Sequence, residues 1–210
     1  MNLKKYGQYK NDIFQKISFP FKKGKKILDV GCGDCTDVEI FIKEFELDTY
    51  GIDIYEHRNT HKLKKFRFKK DTILKIPYPN ETFDYVFLHD ILHHIDEKNQ
   101  SYKTHIHALK ELKRITVADG YIIILEANRY NPLFYPHMVI LNGHNHFRQS
   151  YFMKIIKYVY RDQVTFKFFE AHLYPKRFLP IFKVFEFISE NLFFLSPFRA
   201  YNLAIIKKTS

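Results

Sequence analysis

The chain's 210 residues suffice for one large domain or two small ones, and 46% hydrophobic with 27% charged residues permits a packed core, which excludes wholesale disorder. A formal charge of +11, from 34 Lys+Arg against 23 Asp+Glu, favours anionic partners such as nucleic acid, anionic lipid or a phosphorylated substrate without choosing among them. Two cysteines exclude a disulfide framework, no uncharged apolar run reaches the roughly 18–20 residues that span a bilayer, and the first stretch lacks a signal peptide's apolar core, so a cytoplasmic setting is expected.

Residues 2–19 read as an amphipathic helix or arm with Ile13, Phe14 and Ile17 on its apolar side. Residues 27–30 are an apolar run of the kind that forms a buried parallel strand, and Gly31-Cys32-Gly33 is a tight turn. Thr36-Asp37-Val38-Glu39 has the pattern of a capping box, opening a helix with Val38, Phe41, Ile42 and Phe45 on one face. Residues 47–52 form a second strand that ends on Asp53, 20 residues after Gly33. Together these make a βαβ unit for a nucleoside cofactor. Glycine lets a ligand approach the main chain, amides at the helix start attract an anion, and the terminal acid accepts ribose hydroxyls.

The basic segment HRNTHKLKKFRFKK that follows is expected to form a helix and then a short strand at 66–68, and 71–82, with Pro77 and Pro79, a loop. Residues 83–88 (FDYVFL) form a strand buried on both faces. Residues 98–115 form a helix lined by Tyr102, Ile106, Leu109 and Leu112, Asp119-Gly120 turns the chain, and 121–125 is the fifth strand. Strands alternating with helices define an α/β doubly wound sheet. Beyond Glu126 the pattern becomes aromatic and His-rich, then suggests a helix at 150–160, a strand at 164–173, a very apolar helix at 179–195 and a last strand at 200–207. No linker separates a second domain. The expected organisation is a single domain, 1–210, with an arm (1–24), a cofactor-binding core (25–126) and a substrate-side remainder (127–210).

ILDVGCGD (27–34), the acid of YGIDIY, KKDTILKIPYPNETFDYVFLHDILHHI (69–95) and ELKRITVADGYIIILE (111–126) resemble class I S-adenosylmethionine-dependent methyltransferases, most closely the small-molecule group that includes the quinone-biosynthesis enzymes. The likeness covers roughly the first 60% of the chain. It implies a Rossmann-like, mostly parallel seven-stranded sheet with a C-terminal antiparallel strand pair, and S-adenosyl-L-methionine as cofactor. It also implies that Asp29, Gly31, Cys32 and Gly33 hold the methionine portion, Asp53 the ribose with Ile54 beside the adenine, Asp71 and Thr72 the adenine amino group, and His89 the region of the methyl group. Where the family has a third glycine this chain has Cys35, which would narrow the pocket.

Two other enzyme classes share parts of this pattern. Cys32 and Cys35 have the spacing of a redox dithiol, and a nicotinamide-dependent oxidoreductase shares the glycine turn and Asp53 but wants glycine where this chain has Thr36. Neither accounts for the remaining motifs.

Methyl transfer needs alignment more than proton transfer, but a hydroxyl or acidic-carbon acceptor also requires a base. His89, His93 and His94 follow the fourth strand on the crevice side, and Tyr130 and His137 belong to the segment after Glu126, whose EANRYNP resembles a segment of family members associated with lipid or glycan modification. His93-His94 also suits simple packing at a helix start. His137, His144 and His146 suggest metal, but no acid or cysteine completes a set, so no metal is expected. The apolar helix at 179–195 is read first as buried core, second as a membrane-resting face or the wall of a site for a long apolar substrate. The expected partner is thus a small-molecule or lipid-like acceptor, with peripheral membrane contact. An RNA acceptor or a role as a non-catalytic partner subunit stands as the alternative.

Overall fold

The computed structural model describes residues 2–171 and 176–209, with the backbone alone of His137 and Lys176. Seven strands form one sheet: β1 (Lys26–Val30), β2 (Asp48–Asp53), β3 (Phe66–Lys70), β4 (Phe83–His89), β5 (Thr116–Ala127), β6 (Val164–Phe169) and β7 (Tyr201–Lys207). Their order is β3-β2-β1-β4-β5-β7-β6. The first five run parallel, and β7 lies antiparallel between β5 and β6, as the family resemblance implied.

Strand periodicity divides the core into two layers. Val86 and Leu88 of β4 and Ile122 and Ile124 of β5 face α3 (Tyr102–Ile115) and α4 (Gln149–Tyr160). Their alternates Tyr85, Phe87, Ile123 and Leu125 face α1 (Gln8–Ile17) and α2 (Thr36–Lys43). Both faces of the central strands are therefore dry, which explains their unbroken apolar runs.

Several expectations need correction. The segment after Asp53 forms only a single 3-10 turn at Thr60–Lys62, because its lysines supply no apolar face to bury. The basic run instead decorates β3, an edge strand on which lysines discourage pairing with another sheet. The expected capping box at Thr36 does not form. Cys35 is the N-cap, in a left-handed conformation, and Asp34 Oδ1 accepts the Thr36 amide at 2.9 Å. Strand β6 ends at Phe169, and 172–173 of the expected strand lie outside the described residues.

The apolar C-terminal helix, α5 (Leu179–Asn191), is not core. Ser189 is its one buried residue, while Ile181, Val184, Phe187 and Ile188 are exposed. Leu192, Phe193, Phe194 and Phe198 continue that surface, with Phe193 90% exposed. Among the described residues, no helix is long and apolar enough to cross a membrane.

Candidate cofactor site

The ends of β1 and β2 are tied together by the glycine turn. The amides of Gly31 and Cys32 both donate to the Ile52 carbonyl, at 2.7 and 3.2 Å, and Gly33 donates to Asp53 Oδ2 at 2.9 Å. Cys35 donates to the Cys32 carbonyl. These turn amides are thus spent on the fold. The turn keeps its left-handed angles, φ +73° at Gly31 and +47° at Gly33. Cys35 adopts φ +65°, so this chain imposes on cysteine a conformation that glycine takes freely. Its side chain lines neither cavity described next, so it does not narrow the pocket.

Two cavities meet at Gly31. The larger, about 500 Å³, is lined by Asp53, Ile54, Tyr55, Asp71, Thr72, Ile73 and Leu74 at the ends of β2 and β3, and by Ile91, His94 and Ile95 after β4. Asp53 Oδ1 accepts the Tyr55 amide at 2.9 Å, which fixes the carboxylate while leaving each oxygen a lone pair for a further donor. Asp71 is fixed in the same way by the Thr72 amide at 2.8 Å.

The smaller cavity, about 250 Å³, is lined by Asp29, Gly31, Cys32, Gly33, Asp34, Asp37, His89 and Asp90, with Tyr9 and Lys10 contributed by α1. His89 is fully engaged. Its Nδ1 lies 2.8 Å from Asp37 Oδ2 and its Nε2 2.8 Å from the Tyr9 hydroxyl, while Lys10 Nζ bonds Asp37 Oδ2 at 2.7 Å. Burial pushes the Asp37 carboxyl up, but Lys10 and His89 outweigh it and hold the group below the usual range. Asp29 is pushed the other way. Burial first, and then the Asp37 charge, raise its carboxyl well above the ordinary range. A ligand ammonium placed beside it would compensate that buried acid.

On the crevice side of β4 and β5, Glu126 accepts the amides of Ile91 and Leu92 on Oε1, at 3.0 and 2.6 Å, and His93 Nδ1 lies 2.7 Å from its Oε2. Burial pushes the His93 imidazole down, and the Glu126 carboxylate more than reverses this. His93 is inside the protein, His94 partly exposed at the larger cavity. Tyr130 is exposed under the Arg148 guanidinium and lines neither cavity, and the His137 side chain lies outside the described residues.

The structure therefore brings together Asp29, Gly31, Cys32, Gly33 and His89 around one cavity, and Asp53, Ile54, Asp71, Thr72 and His94 around the other. Sequence reasoning missed Tyr9, Lys10, Asp37 and Glu126. Glu126 carried a signal, as an acid closing an otherwise apolar strand, whereas nothing local to residues 9–10 marked them. Cys32 and Cys35 are free and buried, and the Cys32 thiol is raised by its hydrogen bond with Cys35 and by burial.

A parallel sheet with an antiparallel β7, a glycine turn after β1, and acids at the ends of β2 and β3 make a nucleoside-cofactor fold. The chain belongs to the methyltransferase domain family, whose model matches residues 21–159. An uncharacterized methyltransferase of Schizosaccharomyces pombe is 33% identical over 130 residues, covering 55% of this chain and 44% of that protein. Phosphoethanolamine N-methyltransferase 3 of Arabidopsis thaliana is 28% identical over 105 residues, 47% of this chain and 21% of that protein. The chain spans less than half the length of the curated relatives it matches. Among solved structures, a SAM-dependent methyltransferase from Archaeoglobus fulgidus superposes with TM-score 0.68 at 20% identity, over 93% of this chain and 91% of that one.

S-adenosylmethionine is the cofactor of this class, and the residues present fit it. Asp29 is a buried acid lining the smaller cavity, Asp37 Oδ1 is buried without a partner, and Asp53 and Asp71 are fixed acceptors beside an apolar wall.

Proposed function

We propose that this chain transfers a methyl group from S-adenosylmethionine to a small-molecule or lipid-like acceptor. The observation that carries this reading is the pair of cavities meeting at Gly31, with Asp29 at one and Asp53 and Asp71 at the other. When bound, the cofactor supplies an activated methyl group whose leaving sulfur needs no proton, so the chain's task is alignment and exclusion of water. Asp29 and the carbonyls of the glycine turn would hold the methionine portion. Asp53 would accept the ribose hydroxyls, Asp71 and Thr72 would meet the adenine amino group, and Ile54, Ile73 and Leu74 would flank the ring.

His89, with both nitrogens engaged, positions Asp37, Lys10 and Tyr9 rather than taking a substrate proton. His94 lines the larger cavity and would meet the acceptor. An amine acceptor in its neutral form needs no general base, and the name of the Arabidopsis relative supports a small phosphorylated amine. The exposed apolar face from Ile181 to Phe198 supports a lipid-like acceptor met at a membrane surface. An RNA acceptor is less favoured, because the basic run lies on an edge strand where Arg67 already pairs with Asp48.

The test is transfer of labelled methyl groups by the pure protein to a cell extract that is then fractionated. Label in small molecules or lipid is the expected result. Label in RNA moves the substrate class, and cofactor binding without transfer indicates a partner subunit. Calorimetry showing no binding of S-adenosylhomocysteine sinks the reading altogether.

A further inference from the structure

Four imidazoles and a carboxylate converge where two crevice loops meet. His93 and His94 lie in the turn after β4, with Glu97 just beyond, and His144 and His146 lie in the loop ahead of α4. His94 Nδ1 is 3.2 Å from Glu97 Oε2, and His144 Nδ1 is 3.3 Å from Glu97 Oε1. Ligand atoms of these three residues all lie within 4.8 Å of one another. The acid that the sequence seemed to lack is therefore present, delivered from another loop.

Behind the trio stand unsatisfied nitrogens. His146 is 4% exposed, and neither of its ring nitrogens has a hydrogen-bond partner. His93 is 1% exposed, and its Nε2 is likewise unpartnered. The His93 ring centroid lies 4.0 Å from that of His94 and 4.4 Å from that of His146, and His144 and His146 are 6.0 Å apart. Each buried unpaired nitrogen costs roughly 1–3 kcal/mol, so packing alone is a poor reason for the cluster.

We propose that His94, Glu97 and His144 bind a divalent transition-metal ion, with the buried imidazole of His146 packed behind them. Imidazoles with one carboxylate are the donor set of Zn²⁺ and its neighbours, whereas Mg²⁺ and Ca²⁺ take oxygen ligands. The ion clips together two loops now joined by the Asn145 amide to Glu97 Oε1 at 2.9 Å, and by Gln100 to the Asn145 carbonyl. Because His94 also lines the larger cavity, the clip stiffens one of its walls. The site shares His94 with the acceptor side of the proposed function, and metal binding is read without any methyl transfer.

Metal-free whole protein titrated with Co²⁺ and followed by visible absorption tests it. One Co²⁺ per chain is expected, with the intense d–d bands of a four-coordinate site, displaced by Zn²⁺. Glu97→Gln, which keeps the shape of the side chain, and His144→Ala should each weaken binding at least about tenfold, while His61→Ala, at an exposed histidine elsewhere, should not. If His144→Ala does not fold, the isosteric Glu97→Gln decides. Absence of Co²⁺ bands, or bands unchanged in Glu97→Gln, overturns the proposal.

Discussion

Ile91 lies so close over Gly31 that a methyl group added to the glycine would stand 2.3 Å from Ile91 Cδ1. Gly31 borders both cavities, so a ligand occupying the two together must cross beneath that side chain. Gly31→Ala therefore meets both a collision and an L-residue at φ +73°, and should weaken S-adenosylhomocysteine binding at least about tenfold. Ile91→Ala should leave binding unchanged or tighter, as read by calorimetry. Equal loss in both variants would make Ile91 a wall of the site rather than an obstruction over it.

Asp53 has two tasks, as acceptor for the Gly33 and Tyr55 amides and as the proposed ribose partner. Asp53→Ala removes both. It should cost about 1–3 kcal/mol of stability in urea unfolding, from two amides losing their acceptor, and abolish measurable cofactor binding. Asp53→Asn retains one acceptor oxygen and should restore part of the stability but little of the binding. Full cofactor affinity in Asp53→Ala would refute the ribose assignment.

Glu170 is buried between β6 and α5, where Ser189 donates to it at 2.8 Å and Asn131 at 3.2 Å. Burial first, and then the nearby Glu190 charge, push its carboxyl up to about 7, against the partial relief those donors give. A raised carboxyl binds its proton more tightly folded than unfolded. Its contribution is complete below the unfolded value near 4.5 and is lost as pH rises through about 7. Stability should fall between pH 5 and 8 by on the order of 1–3 kcal/mol, and Glu170→Gln should flatten that slope. Thermal unfolding across that window reads the difference, and a slope unchanged by Glu170→Gln would assign it to other groups.

The membrane-facing role proposed for α5 and the segment after it predicts binding to bilayers. Phe193→Asp should reduce sedimentation with anionic vesicles several-fold while changing stability by no more than about 0.5 kcal/mol, since Phe193 is 90% exposed. Equal sedimentation of both proteins, or none with either, counts against a membrane-facing role.

The parallel core was legible because its strands are covered on both faces, so Phe83 to Leu88 cannot be read as anything half-exposed. Of the acids proposed to meet the cofactor, Asp53 could be located by spacing, where a strand stops 20 residues after Gly33, whereas Asp71 was located only through the family resemblance. Burial of α5 was not, because an apolar helix states only that it seeks cover and not whether this chain supplies it. Glu97 and His144 are 47 residues apart and meet only once β4, β5 and their loops are in place. Tyr9 and Lys10 belong to the same class: their role arises from where α1 docks, which no local pattern encodes.

That docking has a mechanical side. Helix α1 carries Tyr9 and Lys10 at the smaller cavity and, about 10 Å further along its axis, Lys16, whose ammonium lies 2.7 Å from Glu186 and 2.6 Å from Glu190 of α5. One helix thus joins the greasy outer face to the wall of the smaller cavity, the chamber proposed for the cofactor's methionine portion. If a surface seated on α5 shifts that helix, reciprocity requires that filling the chamber change the grip on the surface by the same factor. Vesicle binding measured with and without S-adenosylhomocysteine reads that factor directly, and a ratio of one would mean the helix transmits nothing.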